Sequence, residues 1–431
     1  MLPREVEYRV SSLPPEVSTS SYVSRAVNSN SFTAGQQAQV NLIQSRGTYI
    51  IPSSLYVTFN INVTADAAND NAILGIPACS VIQRLDTFAN STSIETINNY
   101  NAVTNMLFNG KLGVSEKCGL SKPFGLQLTA AYADLLTDSR TIVAGTGANV
   151  ISCSVPICCV LSNASKLLPL DSAEYRLYFT IEDIANIACL TANGNATDLT
   201  LFSVSDFEVH YKAVSFDPQT DALIKSQVGA DGAILFKSES YQSSVSAIAN
   251  GTSGSVSLPF ANSLTSIKSL LTTFSRTDRY RLGCGVSYDV TGGAGSLNYE
   301  VAGKNYPQTP FSVTTHESSI PLEFLEAVHG IMSHPAAAQT SMSVDNFRQL
   351  NVAFGNDPLR NLSKAYFGYN CEKISSQDAA LNGISSQNSN IVLRVNIDGA
   401  ATGVASNALM IFHHDCLIKY DPLANTLVVM K

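Results

Sequence analysis

Ser54-Leu55-Tyr56-Val57-Thr58-Phe59-Asn60-Ile61-Asn62-Val63-Thr64 alternates without a fault: Leu55, Val57, Phe59, Ile61 and Val63 take one parity, and Tyr56, Thr58, Asn60, Asn62 and Thr64 the other. Successive side chains of a strand point to opposite faces, so this stretch reads as a strand with one face in a core. The same alternation returns at Tyr175, Leu177, Phe179 and Ile181, at Phe207, Val209, Tyr211 and Ala213, and at Ile391, Leu393, Val395 and Ile397. Clusters of Gly, Asn, Ser and Asp, such as residues 65–71 and 291–295, separate the runs as turns. Helical spacing is confined to residues 97–107 and 321–333; in the second, Pro321 suits a first helical position and Glu323 the positive helix end. Strands that follow one another without helices cannot form a parallel sheet, so antiparallel sandwiches are expected.

A chain of 431 residues exceeds the usual size of one domain. Two landmarks point to a duplication. Pro52 and Pro259, each ahead of a long strand, are 207 positions apart, and the strand endings Phe216-Asp217-Pro218 and Tyr420-Asp421-Pro422 are 204 apart. The reading is one sandwich repeated: an N-terminal arm over residues 1–30, a first sandwich over 31–218 and a second over 219–431. In the arm, Leu2, Val6, Tyr8, Val10, Leu13 and Val17 recur too regularly for a plain linker, and docking on a neighbouring copy or an inner protein is the expectation.

The net charge of −8 argues against a phosphate-backbone partner, because that affinity rests on Lys and Arg. No apolar run approaches the length that spans a bilayer, and Met1-Leu2-Pro3-Arg4-Glu5-Val6-Glu7 lacks the apolar core of an export signal, so a protein made without secretion is expected. Nine scattered cysteines, among them the adjacent Cys158-Cys159, suit buried free thiols better than zinc or disulfide spacing. The six Asn-x-Ser/Thr sequons, at Asn62, Asn90, Asn163, Asn195, Asn250 and Asn361, carry little weight in a chain so rich in Asn and Ser.

Several stretches resemble a known family. Ser80-Val81-Ile82-Gln83-Arg84-Leu85 followed by Thr92-Ser93-Ile94-Glu95-Thr96-Ile97-Asn98-Asn99-Tyr100-Asn101 is similar to the strand, hairpin and helix start near the front of double-jelly-roll major capsid proteins, most of all those of polinton-like viruses. Residues 236–248 with Ser266-Ile267-Lys268-Ser269-Leu270 resemble the opening of that family's second jelly roll. Asn382-Gly383-Ile384-Ser385-Ser386 resembles its late turn, and residues 412–421 its closing strand. The resemblance implies an all-β chain of two tandem eight-stranded jelly rolls with a few short helices. It implies a homotrimer of hexagonal outline that contacts neighbouring capsomers, and penton and minor capsid proteins, in an icosahedral virion assembled inside the host cell.

No group of residues reads as a chemical site. His413-His414-Asp415-Cys416 is rich in metal-binding side chains, but neighbours on a strand point apart, so at most two could meet one ion. His329 and His334, with Glu323 and Glu326, lack the spacing of a zinc-protease helix. Cys284 has no base beside it in sequence, and Gly292-Gly293-Ala294-Gly295 lacks the Lys-Ser/Thr of a phosphate loop. The sequence therefore assigns no catalytic residue, no metal and no cofactor. Rival readings are a minor capsid or vertex protein, which would not be duplicated, and a carbohydrate-active or carbohydrate-binding jelly roll. The latter would normally offer Trp, and the chain has none.

Overall fold

The computed structural model describes residues 17–65, 72–74, 76–126, 140–142, 149–171, 173–190, 199–228, 232–276, 295–312, 319–330, 365–373, 381–387, 389–397, 405–424 and 426–431. Residues 54–64 form the strand they spell: Leu55, Val57, Phe59, Ile61 and Val63 are all buried, and Tyr56–Ala65 pairs on both sides. The inward residues at 175–181, 207–213 and 391–397 are buried as well.

In the first sandwich, one sheet sets Asn149–Pro156, Tyr56–Ala65, Leu199–Phe216 and Val17–Arg25 side by side, with short strands pairing around the long one. The facing sheet runs Gln37–Asn41, Tyr175–Ile181, Ile82–Ala89, Thr92–Ile97. In the second sandwich, Ile234–Ile248, Ser406–Asp421, Ile267–Arg276 and Tyr366–Asn370 face Gly254–Phe260, Ile391–Ile397, Ser296–Val301 and Lys304–Ser312. Among the described residues each sandwich therefore has eight principal strands, and the neighbour order of one maps onto the other strand for strand. A helix follows the equivalent hairpin in each, Tyr100–Lys111 after Ile82–Ala89 and Thr92–Ile97 in the first and Ser319–His329 after Ser296–Val301 and Lys304–Ser312 in the second.

The duplication holds with a different register from the one the prolines imply. Val17 lies opposite Phe216 and Ile234 opposite Tyr420, so the two strand endings are equivalent. Pro52 and Pro259 are not. Pro52 opens a 3-10 turn ahead of Tyr56–Ala65, whereas Pro259 sits inside the edge strand Gly254–Phe260, whose counterpart is Gln37–Asn41. An edge position tolerates a residue with no N–H, which is why a proline serves there.

The segment expected as an arm also changes. Val17–Arg25, inside residues 1–30, is an edge strand paired along its whole length with Leu199–Phe216. It escapes an alternation search because it buries only Ser24 and, in part, Tyr22, whose ring stacks on Tyr211 at 5.4 Å. Residues 1–16 lie outside the described residues. After Phe216, Asp217 caps the helix Pro218–Lys225 by accepting from the N–H groups of Gln219 and Thr220 at 3.1 and 3.2 Å, and the chain enters the second sandwich at Ile234.

Candidate functional site

The most elaborate side-chain chemistry lies where the two sandwiches meet. Ser406–Asp421 is buried on both of its faces over its first half. Ala408, Met410 and Phe412 enter the core of the second sandwich, while Leu409 and Ile411 enter a continuous cluster with the first sandwich and the helix Ser319–His329. A strand covered twice has no polar parity, so its apolar residues are consecutive.

Polar groups stitch the same junction. Glu95, on the hairpin strand Thr92–Ile97 of the first sandwich, is 1% exposed. Its carboxylate accepts the N–H of Val160 at 2.9 Å and the hydroxyl of Ser240 from the second sandwich. Burial pushes this carboxyl up to about 7, although both donors pull the other way. Beside it, Ser238 donates to the carbonyl of Val160 at 2.6 Å, the Ser165 N–H donates to the carbonyl of Lys237 at 2.9 Å, and Ser243 donates to the carbonyl of Asn98. The outermost strand of the second sandwich, Ile234–Ile248, is thereby sewn to two segments of the first, and its edge groups are partly covered.

An ion network continues along the same strand. Lys268 reaches Glu239 at 2.5 Å and Glu372 at 3.2 Å, and Glu239 also meets His413 Nε2 at 3.0 Å. Burial raises the Glu239 carboxyl, but His413 and Lys268 outweigh it and hold the group well below the usual carboxylate range. Asp415, fully buried, pairs with Lys237 at 3.0 Å and accepts from the Ser266 hydroxyl at 2.7 Å and the Asn382 N–H at 2.9 Å.

His413 and Asp415 thus serve different partners, while His414 sits beside Cys416. His413 serves Glu239, while burial pushes His414 down to about 4, its ring near the Asp415 carbonyl and the Cys416 sulfur. Among the described residues no three His, Cys, Asp or Glu groups converge as metal ligands. His329 Nε2 lies 2.9 Å from the carbonyl of Gly110, joining the two helices, and Glu323 and Glu326 lie on the same helix. His334, Cys284, residues 292–294, Asn195 and Asn361 lie outside the described residues. Sequence reasoning passed over Glu95, Ser240, Glu239 and Lys268. The one available signal was a glutamate at an inward position of an apolar hairpin, between Ile94 and Ile97.

No family model and no curated protein matches the chain. Solved structures do. PBCV-1 VP54, fitted into a reconstruction of the virophage Sputnik, superposes with a TM-score of 0.62 at 11% identity, covering 99% of each chain. The Faustovirus major capsid protein gives 0.60 at 9% identity over 96% of this chain and 92% of its own. The mavirus major capsid protein gives 0.56 at 10% over 100% and 93%. The chain has the double jelly-roll fold. Near-complete coverage in both directions means that the likeness spans both jelly rolls. In double jelly-roll terms, Glu95 and Ser240 link the first roll to the opening strand of the second.

Proposed function

We propose that this protein is a major capsid protein, a structural subunit that forms homotrimers of hexagonal outline and tiles an icosahedral virion. The observation that carries the reading is the strand-for-strand duplication of two sandwiches locked by a buried junction. Three copies of such a subunit present six similar walls, and closed threefold symmetry turns that pseudo-repeat into a tile for a nearly flat facet. Rigidity matters for this role, and a strand buried on both faces together with the Glu95 and Lys268 networks supplies it.

Neighbouring capsomers, and penton and minor capsid proteins, are the partners that this role requires. The exposed strand edges offer contact surface: Val150, on the edge strand Asn149–Pro156, is 61% exposed. The negative net charge fits a shell that encloses a genome without gripping its phosphates.

Negative-stain imaging and light scattering of the purified protein test the reading. Trimeric particles with a hexagonal outline are expected. Monomers alone at micromolar concentration would overturn it.

A further inference from the structure

Val17–Arg25 is a nine-residue edge strand whose outer side pairs with no other strand among the described residues. Just beyond its end, the Ala26 N–H donates to the Phe207 carbonyl at 3.0 Å. Bonded and non-bonded pairs alternate along an antiparallel ladder. Ser18, Ser20, Tyr22 and Ser24 therefore spend their backbone groups on Leu199–Phe216, and Val17, Thr19, Ser21, Val23 and Arg25 turn theirs outward. Val27, next in the outward series, gives its N–H to the Gln39 carbonyl at 2.8 Å. The five before it find no partner for these groups among the described residues.

An open edge is a template for further pairing, and the other outer strands of the two sandwiches carry devices against it. Asn149–Pro156 ends in proline and gives the Ser154 N–H to the Pro123 carbonyl at 2.6 Å. Gln37–Asn41 is met by Val27 and by the Asn28 side chain, which bonds the Gln37 carbonyl and the Gln39 N–H. Gly254–Phe260 holds Pro259, and Lys304–Ser312 holds Lys304, Pro307 and Pro310. Tyr366–Asn370 and Thr426–Met430 are only five residues long. Thr92–Ile97 and Ile234–Ile248 are tied to each other across the junction. Val17–Arg25 has none of these devices: it holds no Pro, Gly or Lys, and its register runs without a bulge.

We propose that Val17–Arg25 pairs antiparallel with the same strand of a second copy, about a two-fold axis at Ser21, so that the two large sheets become one. The strand is self-complementary in that register. Thr19 falls opposite the partner's Val23 on the outward face, and β-branched residues suit such cross-strand positions. The one charge, Arg25, is already paired with Glu208 at 2.8 Å and falls opposite the partner's Val17. Its two copies stand about 27 Å apart along the ladder, too far to repel through salt water. A monomer dimerises through this contact, and a trimer gains one link per subunit to a neighbouring trimer, so the contact stands apart from the capsid reading.

The direct test places a photo-crosslinking residue at position 21 of the full chain and mixes it with isotope-labelled protein of the parent sequence. Crosslinks of dimer mass that join position 21 to residues 17–25 of the labelled copy are expected. Two variants give a second readout by sedimentation. Ser21→Pro removes an outward N–H that the fold does not use, and Thr19→Lys with Val23→Lys sets lysines opposite each other. Each should reduce the particle to the basal monomer or trimer at an unchanged melting temperature, and the crosslink decides even where a variant melts early. Crosslinks confined to one chain, or to another strand of the second copy, would overturn the proposal, and so would a particle size that neither variant changes.

Discussion

The carboxylate of Glu95, from the first sandwich, accepts a hydrogen bond from the hydroxyl of Ser240, from the second, and both side chains are buried. A carboxyl in that position is more stable protonated than charged unless its donors compensate fully, and the rise to about 7 means that they do not. The two sandwiches are therefore joined by a group whose charge state changes near neutrality.

The pH dependence follows with a definite sign. A folded-state value of about 7 against 4.5 in the unfolded chain means that the native state holds the proton more tightly. The stability from Glu95 is then fully present below about pH 4.5 and lost as pH rises through about 7, a change on the order of 2–3 kcal/mol. Glu239, held low by His413 and Lys268, works in the opposite sense and loses its contribution in acid. The two are separated by difference: Glu95→Gln should flatten the stability profile between pH 5 and 8 relative to the parent protein, as read by urea denaturation along a pH series. A parallel profile for the variant would show that the charge is compensated in the fold.

Lys268 is the hub of the neighbouring network. Burial opposes its positive charge, and Glu239 and Glu372 more than restore it. Lys268→Met keeps the length of the stem but leaves both carboxylates without their cation. Removing one partner of a buried pair costs roughly 3–5 kcal/mol, and the partial exposure of Glu239 trims this to about 2–4. The measurement is the denaturation midpoint at pH 7, with Lys268→Arg expected to recover most of the loss.

Six cysteines have described surroundings, at 79, 153, 158, 159, 371 and 416, and all are free thiols, five of them buried and Cys158 partly so. Burial pushes Cys158 up to about 11 and Cys159 up to about 12, and raises Cys79, Cys371 and Cys416 further. A thiol that cannot become a thiolate is a poor nucleophile. Native protein should therefore take up an alkylating reagent slowly at these positions. Denatured, unreduced protein should show all nine thiols labelled by mass spectrometry, and a shortfall would mean disulfides.

How much of this was legible in the sequence depended on where each strand buries its faces. Leu55 to Val63 and Tyr175 to Ile181 have one wet face, so their period of two is visible in the letters. Val17–Arg25 is an exposed edge and Ala408 to Phe412 is covered twice, so neither alternates, and each needs its partners to be recognised. The helix expected over 97–107 begins instead at Tyr100, after Asn99 in the left-handed region, because Thr92–Ile97 is still a strand. The equivalence of Phe216 and Tyr420 could be read because both terminate a long central strand. The equivalence of Pro52 and Pro259 failed because a proline marks a local backbone need and not a place in a topology. The junction was the least legible part. Glu95 and Ser240 are 145 residues apart, and nothing local to either announces the other.

Gly383 gives the sharpest test of the turn that closes the second sandwich. Ile267 and Ile384 exchange backbone hydrogen bonds at 2.7 and 3.0 Å, and the Gly383 N–H donates to the Ser266 hydroxyl at 2.8 Å. Ser266 in turn donates to Asp415, which also holds the Asn382 N–H. The chain at 383 is drawn so close to the opposite strand that a Cβ would lie 2.1 Å from the carbonyl oxygen of Ile267 and 2.7 Å from its nitrogen. These are backbone atoms already committed to a bridge, so no side-chain rotation relieves the clash. Gly383→Ala should therefore cost more than the roughly 1–3 kcal/mol of ordinary overpacking, with the loss concentrated where the turn holds Asp415. Gly35→Ala is the control, since a Cβ there meets nothing within 4 Å and only its left-handed backbone, φ 76°, resists the change. Thermal melting should rank Gly383→Ala far below Gly35→Ala, and hydrogen exchange should show faster opening of residues 264–267 and 382–386 in the former. Equal melting temperatures for the two variants would mean that the turn yields without strain and does not anchor the strand.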